Sequence, residues 1–140
     1  MGATLTDHQQ QLLDQLAALR DARERLAWLL ARAGGGDRLP AEARNEATQV
    51  PGCLARLWLD GVVEDGRCWF RCDSDSRVLR AVAGFVCEYF SGAEPALVAA
   101  ADASPLARAG LDRVLTANRR DALARVVRRI QERAAELARS

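Results

Sequence analysis

The feature that most restricts the fold is one change of hydrophobic period in mid-chain. Leu54-Ala55-Arg56-Leu57-Trp58-Leu59 and Arg67-Cys68-Trp69-Phe70-Arg71-Cys72 read as strands, and Asp65-Gly66 between them is a strong hairpin-turn signal. In the second strand Cys68, Phe70 and Cys72 share one face, and Arg67, Trp69 and Arg71 share the other. A lone hairpin is marginal in water, so it must pack against the helical stretches on either side of it. The expectation is an α+β fold: a small antiparallel β-sheet, a hairpin with room for a third strand, packed against several α-helices. At 140 residues the chain supports one core, and it is read as a single domain over 1–140.

The flanking helices carry their own punctuation. Thr6 with Gln9 forms a capping box ahead of Leu12, Leu13, Leu16 and Leu19. A second helix carries Leu26, Leu29, Leu30 and Ala33 and should end at Gly34-Gly35-Gly36. Asp37 to Gln49 reads as an extended connection with at most a helical turn after Pro40. Asp73-Ser74-Asp75-Ser76 is rich in N-cap residues and leads into Val78, Leu79, Val82, Phe85, Val86, Tyr89 and Phe90, with Gly92 as the stop. Glu94-Pro95 opens a short helix, with proline at its natural first-turn position. Gly110 interrupts again. Thr116 is placed to cap a last helix striped by Leu123, Val126, Val127, Ile130, Ala134 and Leu137.

Composition removes many functions. The 20 basic residues, all arginine, balance 19 acidic ones, which leaves no electrostatic case for a nucleic-acid or acidic-membrane partner. With no lysine, a Walker-type phosphate loop and a lysine Schiff base are both excluded. His8 is the one histidine, so His-pair metal sites and most triads are excluded as well. Asp7 and Asp14 interrupt any export signal, and apolar runs such as Ala96 to Ala101 are too short to span a bilayer. Met1 to Thr6 fits the myristoylation pattern only at two fixed positions. A cytoplasmic, reducing location is expected, with free thiols rather than a disulfide framework.

Sulfur is therefore the reactive chemistry left: Cys53, Cys68, Cys72 and Cys87. Val50-Pro51-Gly52-Cys53 sets a thiol in a tight, non-repetitive loop just before a strand, a good place for a nucleophile. A buried, space-filling Cys53 fits the same spacing. Cys68 and Cys72 lie about 13 Å apart on an extended strand, too far to share a metal or a disulfide. Cys87 sits in an apolar helix and reads as core. Zinc and iron–sulfur sites built on short CxxC pairs have no counterpart here, and neither a metal nor a bound cofactor is expected.

Read in order, Arg44-Asn45-Glu46, Val50-Pro51-Gly52-Cys53, Leu57-Trp58-Leu59, Asp73-Ser74-Asp75, Tyr89-Phe90-Ser91-Gly92 and Leu115-Thr116-Ala117-Asn118-Arg119 resemble the SufE family. The resemblance runs from about Leu26 to Ala134, and its specificity comes from several motifs in register. It implies a fold shared with the IscU scaffold. It also implies a protein that accepts persulfide sulfur from a SufS-type cysteine desulfurase, stimulates that enzyme, and passes the sulfur to an iron–sulfur scaffold of the SufBCD type. On this resemblance Cys53 carries the persulfide and Arg119 stabilises its thiolate or persulfide anion. Asp75 matches the serine–aspartate pair and faces the partner, although an aspartate in a helix's first turn needs no partner to explain it. Gly52 is expected to bind the partner together with Asp75, and to act as a hinge that exposes or hides Cys53.

The chain departs from the pattern at Leu54-Ala55-Arg56, where polar residues commonly follow the cysteine. It departs again at Glu94, where threonine is usual, and at Ala117, where proline is common. The implied protein is a carrier and activator rather than a free-standing enzyme. The alternatives are a CsdE-type acceptor serving another desulfurase or destination, a scaffold that binds an iron–sulfur cluster or zinc, and a structural domain with an inert Cys53.

Overall fold

The computed structural model describes residues 6–33, 38–52 and 55–139. Helices α1 (Asp7–Ala17) and α2 (Ala22–Ala33) lead through a 3₁₀ turn at Ala41–Ala43 to strands β1 (Leu57–Glu64) and β2 (Arg67–Ser74). Then follow α3 (Arg77–Phe90), α4 (Pro95–Ala100), α5 (Ser104–Arg108), a second 3₁₀ turn at Asp112–Val114, and the long α6 (Ala117–Ala138). This is the expected α+β class.

The hairpin forms because the chain can turn tightly at Asp65-Gly66. Both residues have positive φ, 53° and 76°, the backbone of a two-residue turn whose twist matches that of the strands. Pairing is antiparallel from Leu57 opposite Ser74 to Glu64 opposite Arg67. Cys68, Phe70 and Cys72 are buried, whereas Arg67, Trp69 and Arg71 on the other face are exposed. No third strand forms among the described residues. Single bridges take its place: Gln49 opposite Trp58 on the β1 side and Arg38 beside Cys72 on the β2 side.

The strand limits differ from the expectation for a local reason. β1 starts at Leu57, because Ala55 and Arg56 belong to the connection before it, and it continues past Leu59 to Glu64. β2 runs two residues further than expected, since Asp73 and Ser74 pair with Trp58 and Leu57. Of the Asp/Ser run, only Ser76 caps α3, its hydroxyl accepting from the Leu79 N–H at 3.1 Å. Asp75 therefore precedes the N-cap and does not lie in the helix's first turn.

The Thr6–Gln9 capping box is present in both directions. Thr116 occupies the N-cap position of α6, but its side chain makes no cap bond. The glycine triplet expected to end α2 lies outside the described residues. α5 is an addition to the expected elements; its signal is Ser104-Pro105 ahead of a single large apolar residue, Leu106.

α3 is the centre of the core. Leu79, Val82, Phe85, Val86, Tyr89 and Phe90 are all buried, and the helix packs on β2, α2 and α6. Its end is fastened to β2: the Ser91 hydroxyl accepts from the Phe70 N–H at 3.0 Å, and the Gly92 N–H donates to Cys68 O at 2.8 Å. α6 buries Val126, Ile130 and Ala134 completely and packs against α3, α4 and β1. Helices thus cover one face of the hairpin and bury the start of β1, while the hairpin tip, 62–67, stays exposed.

Candidate functional site

Position 53 and its neighbour 54 lie outside the described residues, so the site is built from what holds the two ends of their loop. At the base, the Val50 N–H donates to Leu57 O and the Leu59 N–H to Thr48 O, both at 2.8 Å. Val50 is buried, and Pro51 and Gly52 turn outward to the surface. Positions 53 and 54 thus fall between two hydrogen-bonded stems.

Its far end is clamped at Arg56. The Arg56 carbonyl accepts from the Asp75 N–H at 3.1 Å and from the Ser74 hydroxyl at 2.7 Å. The Arg56 guanidinium, in turn, pairs with the Asp75 carboxylate at 2.9 Å. It also lies over the Trp58 ring, 5.4 Å from its centroid, while Arg44 lies 5.6 Å from the same centroid. Trp58 is buried beneath both cations, a cation–π arrangement that keeps the apolar ring covered.

Arg44 continues the network inward to Asp73. That carboxylate is only 2% exposed and is held by Arg38 at 3.1 Å and Arg44 at 3.0 Å. Arg80 adds a longer contact at 3.9 Å. A buried carboxylate needs this degree of pairing, because removal from water disfavours its charge. Arg44, Trp58, Asp73, Ser74 and Asp75, quoted above as separate sequence motifs, thus converge on the C-terminal stem of the Cys53 loop.

The near end is held differently. Gly52 has φ of +84°, and a Cβ built there would lie 2.7 Å from Arg125 Nε. The same Nε donates a long hydrogen bond, 3.5 Å, to the Gly52 carbonyl. Arg125 sits on α6, so the last helix supplies a guanidinium beside the loop. Sequence reasoning does not find it: Arg125 is one arginine among several on that helix, and its contact spans 73 positions. Arg119, expected to serve this purpose, is exposed in the first turn of α6 and makes no hydrogen bond or ion pair with a described residue. The structure brings Gly52 to α6 through Arg125, and Asp75 to the loop through Arg56.

The other three cysteines are free and buried. Burial pushes the Cys68 thiol up, against a smaller opposing effect from Arg133. Cys87 is raised well above its ordinary value by its hydrogen bond with Cys72, by burial, and by the charge of Cys72. Among the described residues, no group of three or more His, Cys, Asp or Glu side chains is placed to hold a metal ion, and no helix is long and apolar enough to cross a membrane.

Fold and loop together describe a small α+β protein with three cysteines in its core and braced residues on either side of positions 53 and 54. A family model, SufE: Fe-S metabolism associated domain, matches residues 10–134, and the chain belongs to the SufE family. Membership places it in iron–sulfur metabolism, in a sulfur-accepting role. Two curated relatives carry the name quinolinate synthase, chloroplastic. One, from Arabidopsis thaliana, is 32% identical over 87 residues, 61% of this chain and 12% of that protein. The other, from Oryza sativa subsp. japonica, is 36% identical over 101 residues, 71% of this chain and 14% of that protein. The chain therefore spans only a small part of the length of these relatives. In fold, it is similar to a solution structure of a hypothetical protein from Thermus thermophilus. The TM-score is 0.82 at 21% identity, covering 98% of this chain and 100% of that one.

Proposed function

We propose that the chain accepts sulfur on Cys53 from a SufS-type cysteine desulfurase, stimulates that enzyme, and delivers the sulfur to a SufBCD-type iron–sulfur scaffold in the cytoplasm. The observation that carries this reading is the bracing of both stems of the Cys53 loop. Family-motif residues hold one side through Arg56, and Arg125 holds the other. A loop that only filled space would not need a buried carboxylate and a stacked tryptophan behind it.

The chemistry is a thiolate exchange. The Cys53 thiolate attacks the outer sulfur of the donor's persulfide, a new S–S bond forms at Cys53, and the donor cysteine leaves as a thiolate. No redox equivalent is consumed. A guanidinium next to the loop favours the anionic forms on both sides of this step, a role in which Arg125 joins Arg119. Asp75, by holding Arg56, fixes the stem from which Cys53 is presented. The chain contributes a single nucleophile, which suits a carrier and activator.

The test is intact-mass spectrometry after incubation with a SufS-type desulfurase and L-cysteine, with Cys53→Ser alongside. Added sulfur that vanishes on reduction and is missing from Cys53→Ser supports the reading. No added mass with SufS, but added mass with a CsdA-type enzyme, would shift the partner to the CsdE-type alternative. No added mass with either active enzyme would leave Cys53 an inert thiol and overturn the proposal.

A further inference from the structure

Two of the buried cysteines line one cavity. Between α2, β2 and α3 is a cavity of about 730 Å³, within the range of small-molecule sites. Its wall includes both Cys72, from β2, and Cys87, from α3. α3 packs directly on β2, so the two thiols face the same space from adjoining elements, and Cys72 is close enough to raise the Cys87 thiol. Phe70, Phe85 and Trp69 provide apolar and aromatic surface.

The charge of the wall is uneven. Arg32 is engaged by Glu88 and Arg38 by Asp73. Arg71, also on the wall, is exposed and makes no ion pair with a described residue. Arg80 Nε is buried without a hydrogen-bond acceptor, a costly state for a charged donor. The cavity therefore joins two thiols, an aromatic lining, the unpaired guanidinium of Arg71 and the Nε of Arg80, whose outer nitrogen lies 3.9 Å from Asp73.

We propose that this cavity is a dithiol site that takes small anionic disulfides, with aromatic or apolar bodies and carboxylates, and exchanges with them to form a Cys72–Cys87 disulfide. The Cys72 thiolate attacks one sulfur of the small disulfide, forming a mixed disulfide and releasing one small thiolate. Cys87 gives its proton to solvent and attacks the Cys72 sulfur, releasing the second. Two protein thiols are oxidised, the small disulfide is reduced to two thiolates, and two protons go to solvent. Arg71 and Arg80 recognise the carboxylates.

The experiment uses the full chain carrying Cys53→Ser, so that the loop thiol is silent. It is treated with dithiobis-nitrobenzoate, an anionic aromatic disulfide, and separately with the neutral dithiodipyridine. Rates are normalised to those of a small free thiol with each reagent. The expected result is two small thiolates released per chain and loss of the mass of two hydrogens. A non-reducing peptide map should join the Cys72 and Cys87 peptides. The anionic reagent should be favoured by about tenfold, and Arg71→Gln should abolish most of that preference.

A stable mixed-disulfide adduct, a link through Cys68, or intact Cys72 and Cys87 thiols after complete reaction of the free thiol would overturn the dithiol. An unchanged charge preference in Arg71→Gln would overturn the arginine assignment. Peptide mapping needs no change at Cys72 or Cys87, so the test does not depend on those variants folding.

Discussion

At the residue scale, the Cys53 loop is governed by contacts that cost little stability and fix much geometry. Arg56 and Asp75 form a pair whose side chains are 66% and 51% exposed, and such pairs contribute about 0–1 kcal/mol. Asp75→Asn should therefore leave the melting temperature almost unchanged while slowing sulfur loading of Cys53 several-fold. Arg56→Ala should do the same, and the double variant should be no slower than either alone, since both remove one clamp. Loading rates by mass spectrometry beside thermal melts check this; additive losses would place the two residues in separate roles. Gly52→Ala makes the opposite demand. Its φ of +84° and the close Arg125 guanidinium penalise any Cβ, so this variant should lose about 1–2 kcal/mol by urea unfolding as well as loading rate.

At the element scale, local signals were legible and long-range pairings were not. Asp65-Gly66, the Thr6 capping box, the Ser76 cap and the stripe on α6 each rest on neighbours within one turn or one strand pair, so the sequence displays them directly. The turn at Pro51-Gly52 ahead of a strand was also legible. What braces that loop was not, because Arg56–Asp75 is 19 positions apart and Gly52–Arg125 is 73. Among many arginines, pattern alone cannot say which one reaches a given carbonyl. Cys72 and Cys87 show the same limit: the strand spacing correctly separates Cys72 from Cys68, yet only the packing of α3 on β2 brings Cys87 to it.

Caps show how a good local signal still needs its bond. Ser76 accepts from the Leu79 N–H, whereas Thr116 stands at an equivalent position without such a bond. Ser76→Ala should cost about 1 kcal/mol by denaturant unfolding. Thr116→Ala should stay within about 0.5 kcal/mol, the range of a surface substitution. Equal losses would mean that the Thr116 hydroxyl caps α6 in solution.

At the scale of the whole molecule, three core groups set how the fold responds to alkali. Cys87 is raised by its hydrogen bond to Cys72 and by burial, and Cys68 by burial. Tyr89 is raised by burial and by the charge of Asp102. All three are neutral when protonated, and the folded chain holds their protons more tightly than the unfolded chain does. Their contribution is complete below the ordinary thiol value of 9.0. It declines as pH rises above that value, because the unfolded thiols then ionise while the folded ones do not. For Cys87 the decline is at most about 1.4 kcal/mol per pH unit.

Under reducing conditions, the urea midpoint should be level from neutrality to about pH 9 and fall beyond it, and Cys87→Ala should fall less steeply from its own lower plateau. An equal slope in that variant would remove Cys87 from the alkaline response. On the acid side the sign reverses. Asp102 is held below the usual carboxylate range by hydrogen bonds from Ser104, and Glu136 by one from Arg129. What they contribute is present above the ordinary carboxylate values and is lost on acidification through their lowered ones. The core thus holds the protons of Cys68 and Cys87 more tightly than the unfolded chain does, which keeps these two thiols out of the thiolate exchange proposed for Cys53.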